Sequence, residues 1–322
     1  MGTFPLISWN VGPVTVYGYG VAAALGFFTL WAFLNGSQKH FQIKPHTSER
    51  LMALALPLSL FLGRLLFVFI RRSMVFYNPV DGAYLGLWPF FRVWEGGVSV
   101  LGMLFGLVLS AALTAKTTNQ PFHQLFDWLA APSALLMVFL TGGAILAGEG
   151  YGEILEEPVF LFSLSNEFGE SYRAVFLMEG ISYLVIAGLL RKIKVSRPGG
   201  RGLSMLAMVA CAQLFLESLH RDNYMRLESN GFIRVNQLLA LGMLLGVLLY
   251  LTKQDSRLSP KRVALSWGML LIAAVFVIGA EFYEKLPFPT LLLYGLSAFS
   301  CLLLAWVVTR HAASSAKFHQ PG

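Results

Sequence analysis

Charged residues are scarce in this chain. Only 13% of its 322 residues are Asp, Glu, Lys or Arg, whereas 56% are hydrophobic. An ordinary soluble domain carries about 25% charged residues, so the composition excludes a soluble globular protein. The mean hydropathy of +0.64 is instead typical of an integral membrane protein.

Cysteine and clustered histidine are also lacking. The chain has two cysteines, Cys211 and Cys301, and both fall inside apolar runs. This placement excludes a disulfide framework and argues against a thiol–metal site. The six histidines are scattered without ligand spacing. We therefore expect neither a metal nor a cofactor.

Long apolar runs are what the sequence has instead. Runs near 20 residues fit a hydrocarbon core about 30 Å thick. They predict an all-α polytopic membrane protein, a helical bundle of about nine transmembrane helices. The runs cover residues 13–34, 51–70, 97–115, 127–148, 173–190, 202–219, 236–252, 264–281 and 288–309.

The distribution of lysine and arginine predicts the orientation. With the N-terminus outside, the inner segments hold 15 of these residues and the outer segments hold eight. The positive-inside rule therefore favours N-out and C-in. The basic residues sit in separate short loops rather than on one folded face, so we expect no nucleic-acid partner.

A few charges lie where a simple membrane anchor would have none. Arg64 and Glu179 lie inside apolar runs, and Glu217 lies near the end of another. Such a residue costs about 3 kcal/mol on insertion scales, so it normally faces the bundle interior with a partner. One interpretation is a structural ion pair of Arg64 with Glu217 or Glu95. The other is a site, because Arg64, Glu95, Glu149 and Glu217 all lie toward the outer ends of their runs.

Two glycine-containing polar elbows and one charged cluster adjoin those charges. The elbow Arg92–Ser99 precedes the third run, the elbow Ala147–Gly152 closes the fourth, and the cluster His220–Asn223 follows the sixth. We interpret the three segments as the mouth of one polar cavity on the outer side of the membrane.

Six segments follow one another along residues 10–252. They are Val11–Gly20 with Tyr19-Gly20 at its end, Gly63-Arg64, Phe91–Ser99, Gly148-Glu149 with Tyr151-Gly152, Arg197-Pro198 before a helix ending at Glu217, and Ile233–Gln237. In this order they resemble the bacterial prolipoprotein diacylglyceryl transferase family, which has seven helices and an outer N-terminus. The Trp-Glu-Gly-Gly-x-Ser stretch within Phe91–Ser99 is the most specific of the six.

The resemblance implies a function and a location. Members of this family transfer the diacylglyceryl group of phosphatidylglycerol to the thiol of the lipobox cysteine in a preprolipoprotein, and glycerol phosphate leaves. We therefore expect a bacterial cytoplasmic membrane protein with a lipid-accessible outer site. Residues 1–252 would form the transferase-like membrane domain, and residues 253–322 would add two helices and a tail. The expected substrate-binding residues are Tyr19, Arg64, Arg92, Gly96, Gly97, Ser99, Glu149, Tyr151, Glu217 and Gln237.

The sequence departs from the family pattern at the positions that matter most for catalysis. The family's histidine falls on Leu101, and two of its arginines fall near Thr141 and on Gln213. We expect His220 to replace the base, because histidine suits proton transfer near neutral pH. Arg221 would be the phosphate clamp. We place Glu95 with them in the catalytic set. Glu95, Glu149 or Glu217 would orient these two residues.

Two alternatives remain open. The chain could be a non-catalytic paralogue that binds phospholipid or a lipoprotein. It could also be a transporter, although that would favour an internal repeat, and none is convincing. The discriminating feature is whether His220 or Arg221 points into a cavity with Glu95 and Tyr19 rather than to bulk water.

Overall fold

The computed structural model describes residues 6–78, 81–220, 226–227, 230–255, 260–281 and 290–314. Within these ranges the chain forms nine long helices and one short helix. The helices are α1 (Gly18–Ser37), α2 (Thr47–Ile70), α3 (Arg72–Phe76), α4 (Val100–Thr118), α5 (Phe122–Leu146), α6 (Val175–Lys192), α7 (Gly200–Leu216), α8 (Val235–Asp255), α9 (Pro260–Glu281) and α10 (Thr290–Ala313).

The predicted all-α membrane bundle is confirmed. Eight of the long helices in the described ranges are long and apolar enough to cross a membrane. The ninth, α6, has 18 residues but carries Glu179, Arg191 and Lys192. Each of the nine predicted runs contains one of these helices or overlaps it. We call the end of the bundle where α1 begins the outer end, following the predicted orientation.

Helix ends differ from the predicted runs for local reasons. The first run was predicted to begin at residue 13, but α1 begins at Gly18. The preceding residues form a hairpin of β1 (Ser8–Val11) and β2 (Val14–Tyr17). The N–H of Ile7 bonds the carbonyl of Leu146 at 2.8 Å, which ties the hairpin to the end of α5.

Short antiparallel strands also occupy the loops at the outer end. β3 (Ile154–Leu155), β5 (Ser171–Arg173) and β4 (Ser163–Ser165) form a three-stranded sheet in that order. β6 (Arg226–Leu227) pairs with β7 (Asn230–Arg234). These strands fix the loops that follow α5 and α7, which carry the predicted site residues.

Small residues set the closest helix contacts. A Cβ on Gly106 of α4 would lie 2.5 Å from the Cα of Ser59 in α2, and one on Gly102 would lie 2.7 Å from the Leu62 carbonyl. Glycine commonly serves to let the backbones of two membrane helices approach this closely. A Cβ on Gly143 of α5 would similarly lie 2.8 Å from a side chain of α1.

The largest buried apolar cluster joins helices from α4 to α10. Tyr183, Met205 and Leu244 lie in it together with Leu270 of α9 and Leu304 of α10. The last two helices therefore pack into the same core as α5–α8.

A capping contact strengthens the inner end, since Asp127 of α5 accepts the N–H groups of Gly199, Arg201 and Gly202 at 2.7–2.9 Å. Asp127, near the start of its own helix, therefore caps α7 instead.

Candidate functional site

Arg64 holds the first predicted elbow in place. Its Nε donates to the carbonyl of Phe90 at 2.9 Å, and Nη1 donates to those of Gly96 at 3.0 Å and Gly97 at 2.8 Å. Nη2 donates to the carbonyl of Pro89. The side chain is buried, with 6% exposed. Backbone dipoles therefore satisfy this guanidinium, and the suggested ion pairs of Arg64 with Glu95 or Glu217 do not form.

The glycines of this elbow are required by its geometry. Gly96 and Gly97 have φ of +100° and +66°, a region that L side chains rarely adopt. A Cβ on Gly97 would lie 2.6 Å from Nη1 of Arg64. Ser99 follows and caps α4, accepting the N–H of Gly102 at 3.3 Å. The elbow therefore fixes the outer ends of α2 and α4 relative to each other.

Glu95 and Arg92 pair with each other at the rim of this elbow. Their side-chain atoms lie 3.3 Å apart, with 29% and 35% of the side chains exposed. An ion pair at this exposure contributes little to stability. These two charges thus lie where water or a lipid headgroup reaches them.

Glu149 lies between the cations of the site. Its backbone follows the end of α5, where its N–H bonds the carbonyl of Ala144 at 2.9 Å. Burial raises the pKa of Glu149 to about 7, although the charges of Arg71, Arg64 and His220 act to lower it. A carboxyl group with this pKa can exchange a proton near neutral pH.

Tyr19 completes this part of the site. It is 4% exposed, and its hydroxyl has no hydrogen-bond partner in the portion of the chain that the structure describes. The charges of Glu149 and Arg64 both act on it. A buried hydroxyl without a partner costs free energy, so Tyr19 presents a donor that a ligand oxygen could use.

His220 lies in a second buried polar cluster beside Glu149. Its Nε2 is 3.4 Å from Oε1 of Glu179, and the residue is 1% exposed. The same carboxylate oxygen accepts Nε2 of Gln213 at 2.8 Å, and that amide also donates to the Tyr183 hydroxyl at 2.6 Å. The imidazole therefore faces the protein interior rather than bulk water.

Glu217 and the start of α8 close the cluster from the other side. Nδ2 of Asn236 donates to Oε2 of Glu217 at 3.0 Å. Nη1 of Arg234 donates to the carbonyls of Glu217 at 2.7 Å and His220 at 3.2 Å. The other oxygen of Glu217, Oε1, has no partner among the described residues.

The pKa of His220 reflects these neighbours. Burial alone would lower the pKa, but the hydrogen bond to Glu179 and the negative charges of Glu179 and Glu217 raise it above its ordinary value. An isolated bridge between the backbones of Gly152 and His220 joins this cluster to the loop that carries Glu149. The two clusters thus form one polar layer at the outer end.

The remaining predicted residues make structural contacts. Tyr151 packs edge-on against Tyr172 with ring centroids 5.5 Å apart. Nε2 of Gln237 donates to the carbonyl of Leu214 at 3.4 Å, whereas the neighbouring Asn236 is the residue that contacts a site carboxylate. Arg221 lies outside the described residues.

The decisive comparison is with known families. A family model described as prolipoprotein diacylglyceryl transferase matches residues 6–253. The chain belongs to this family. The predicted resemblance is therefore confirmed, and the match ends within α8, so that α9 and α10 follow it.

Curated transferases of several bacteria are similar to the chain along most of its length. The phosphatidylglycerol–prolipoprotein diacylglyceryl transferase of Halalkalibacterium halodurans is 28% identical over 252 residues, which are 74% of this chain and 83% of the relative. That of Bacillus velezensis is 24% identical over 272 residues, or 80% and 95% of the two chains. That of Legionella pneumophila strain Paris is 24% identical over 259 residues, or 77% and 96%.

The three positions that we expected to depart from the family pattern have ordinary packing roles. Leu101 is 1% exposed within the apolar core. Oγ1 of Thr141 bonds the carbonyl of Met137 in its own helix at 3.0 Å. Gln213 holds Glu179 and Tyr183 together. None of these residues brings a cation or a base to the site.

Sequence reasoning did not assign two members of this polar layer. It noted Glu179 as a charge inside a run and expected Arg234 only to add positive charge near His220, but it left Tyr183 and Asn236 without a role. The spacing of Glu179 and Tyr183, four residues apart on α6, puts both on one helix face. That pattern could have indicated a polar stripe facing α7.

Proposed function

We propose that this protein transfers the diacylglyceryl group of phosphatidylglycerol to a prolipoprotein cysteine thiol, with His220 as the base. The observation that carries the proposal is the buried pair of His220 and Glu179, 3.4 Å apart, in the same polar layer as Glu149. The family and the names of its curated relatives support the reaction class.

The pair suits the proton transfer that the reaction needs. An ionised carboxylate only accepts hydrogen bonds, so Glu179 holds the Nε2–H tautomer and makes Nδ1 the basic nitrogen of the ring. A thiolate, not a thiol, is the nucleophile. His220 would take the thiol proton, and the carboxylates beside it would stabilise the imidazolium that forms.

In the proposed reaction each bond that breaks is matched by a bond that forms, so that no cofactor is required. The thiolate sulfur attacks the glyceryl carbon that carries the phosphate ester, and a C–S bond forms as the C–O bond breaks. The bonding electron pair leaves with the phosphate oxygen of glycerol phosphate. The proton on His220 is released to the leaving phosphate or to water.

Other residues of the layer would bind and orient the lipid. The Tyr19 hydroxyl can donate to an oxygen of the headgroup or ester region. Arg71, whose charge acts on Glu149, and Arg92 at the partly exposed rim would offset the phosphate charge. Arg64 is a positioning residue, because the backbone of the elbow occupies its donors. We place the reaction at the outer leaflet of the bacterial cytoplasmic membrane.

The test is a transfer assay on the purified protein in micelles. It uses labelled phosphatidylglycerol and a lipobox peptide. His220→Gln is expected to lower kcat/KM by roughly 10²–10⁴-fold, the usual contribution of a general base. Glu157→Gln, an exposed change in the outer loop after α5, should leave it unaltered. Full activity of His220→Gln would refute the assignment of the base.

Glu179→Gln tests the positioning role separately. A base must be neutral, so kcat/KM rises with pH through the pKa of His220. Removing the carboxylate removes the hydrogen bond and the charge that raise this pKa. The acidic limb of the pH profile should therefore move to lower pH. An unmoved limb would contradict the pairing.

A non-catalytic lipid-binding member of the family is the second candidate. The observation that favours it is that backbone carbonyls occupy the donors of Arg64. The expected replacement of the family's histidine and arginines by Leu101, Thr141 and Gln213 points the same way. Phosphatidylglycerol retained by a parent protein that shows no transfer would support this candidate and overturn the first.

A further inference from the structure

An apolar groove lies at the side of the bundle, and none of its lining residues belongs to the polar layer. It has a volume of about 720 Å³ and runs between α6 and α10, with α7 as its floor. Its lining includes Val185 and Leu189 of α6, Ala212 of α7, and Leu302 and Ala305 of α10. Both walls pack on α7, and α10 lies beyond the residues that match the family. The groove therefore depends on a helix outside the matched region.

The charged residues that line this groove lie together at its inner end. They are Lys194, just after α6, and Arg310, in the last turn of α10. Both side chains are exposed, and neither has a carboxylate partner within the described parts of the chain. The guanidinium of Arg310 lies over the ring of Trp306, 4.5 Å from its centroid. Two cations thus lie at the inner end of a groove whose other lining residues are mostly apolar.

The groove is long enough to hold an acyl chain that spans one leaflet. Its lining on α10 extends from Ala298 to Ala313, which at about 1.5 Å per residue is roughly 22 Å. Half of a hydrocarbon core about 30 Å thick is roughly 15 Å. A chain lying in the groove with its headgroup at Lys194 and Arg310 would reach slightly past the bilayer midplane.

We propose that this groove binds one anionic phospholipid of the inner leaflet. Its acyl chains lie between α6 and α10, and its phosphate contacts Lys194 and Arg310. Charge complementarity selects the ligand, since the two cations face no protein carboxylate and a headgroup with net negative charge supplies one. The opposite end of the groove has no charged lining residue. The site is separate from the polar layer and does not depend on the proposed transfer reaction.

Photocrosslinking tests the occupant and its position together. The whole protein in nanodiscs of phosphatidylcholine is given trace phosphatidylglycerol with a diazirine in one acyl chain. Crosslinks are mapped to peptides, and those on α10 report the groove. Unlabelled phosphatidylglycerol should displace the probe from α10 at least tenfold better than added phosphatidylcholine. Equal competition by the two lipids would overturn the proposal without any variant being needed.

Variants test the two halves of the site. Lys194→Gln with Arg310→Gln should reduce α10 labelling roughly thirtyfold, because each cation near anionic lipid contributes about a factor of five. Lys253→Gln with Lys261→Gln removes two exposed cations from the ends of α8 and α9 and should leave labelling unchanged. Equal losses in both double variants would show a diffuse surface attraction and refute the site.

A steric variant addresses the apolar part. Ala305→Trp fills the groove and should abolish the α10 crosslinks, whereas Ala264→Trp, on the exposed face of α9, should not. Labelling of α10 that survives Ala305→Trp would place the lipid outside the groove and contradict the inference. Crosslinks near the outer polar layer serve as an internal reference, since they report the proposed substrate site and should persist in every variant.

Discussion

Replacing Glu149 by glutamine should stabilise the protein at high pH and not at low pH. The carboxyl group follows the end of α5, where the charges of Arg71, Arg64 and His220 act on it, and burial raises its pKa from the ordinary 4.5 to about 7. The folded state therefore holds the proton more tightly than the unfolded state does. An uncharged amide of the same shape avoids the cost of ionising this group.

The magnitude follows from the two pKa values. A difference between 4.5 and about 7 corresponds to roughly 3.5 kcal/mol, at about 1.4 kcal/mol for each pH unit. The cost to the parent accumulates as pH rises from 4.5 through 7 and is complete above that pH. Glu149 is partly exposed, so water screens some of this cost. We expect the variant to gain about 1–3 kcal/mol at pH 8.5.

The assay is thermal unfolding in detergent micelles at pH 5 and pH 8.5. The Tm of Glu149→Gln should exceed that of the parent by about 2–6 °C at pH 8.5 and by far less at pH 5. Taking the difference between two proteins at each pH cancels the titration of groups they share. Glu157→Gln, which changes an exposed carboxylate, is the matched control and should show no such pH dependence.

Two results would refute this reasoning. One is a Tm difference that is the same at both pH values, and the other is a variant less stable than the parent at pH 8.5. A more stable variant that also transfers less lipid would indicate a functional group retained at a cost in stability, as is common at active sites.

The remaining predictions concern the scaffold, and each is measured by thermal unfolding. Arg64→Lys should destabilise the protein by about 2–4 kcal/mol, because lysine cannot reproduce the guanidinium bonds to four carbonyls. Its control is Arg92→Lys, at a partly exposed ion pair, which should cost less than about 1 kcal/mol. Equal costs for the two variants would contradict the positioning role of Arg64. Gly97→Ala should cost about 2–4 kcal/mol, since its Cβ meets the Arg64 guanidinium at 2.6 Å. Gly82→Ala has a similar φ of +69° in open space and should cost only about 1 kcal/mol. Asp127→Ala should cost about 2–4 kcal/mol by uncapping α7, and a neutral result would show that the cap is dispensable.

The helices were predictable because a bilayer leaves the chain few choices. Backbone polar groups in hydrocarbon must be satisfied within the segment itself, so an apolar run of sufficient length becomes a helix. The ends were less predictable. Val14–Tyr17 is as apolar as the helix that follows but pairs with Ser8–Val11 as a hairpin. That pairing depends on the preceding segment of the chain rather than on hydropathy.

The polar layer was predictable in its location but only partly in its contacts. Arg64, Glu149, Glu217 and His220 were chosen because charge and glycine mark the outer ends of apolar runs, and the structure brings them to that end. The partner of His220 could not be derived, because Glu179 is 41 residues away along the chain. Arg64 illustrates the same limit, since its acceptors are backbone carbonyls that carry no side-chain signature.

The sequence by itself determined the class of the protein, the number of helices and the family, because these follow from hydropathy, segment length and short motifs in order. Only the tertiary structure decided which polar groups meet. Pairings such as Glu179 with Gln213, Glu217 with Asn236, and Asp127 with the start of α7 depend on which helices are neighbours and how closely they pack. Side-chain chemistry acts over a few ångströms, and that proximity is created by packing between segments that are distant in the chain.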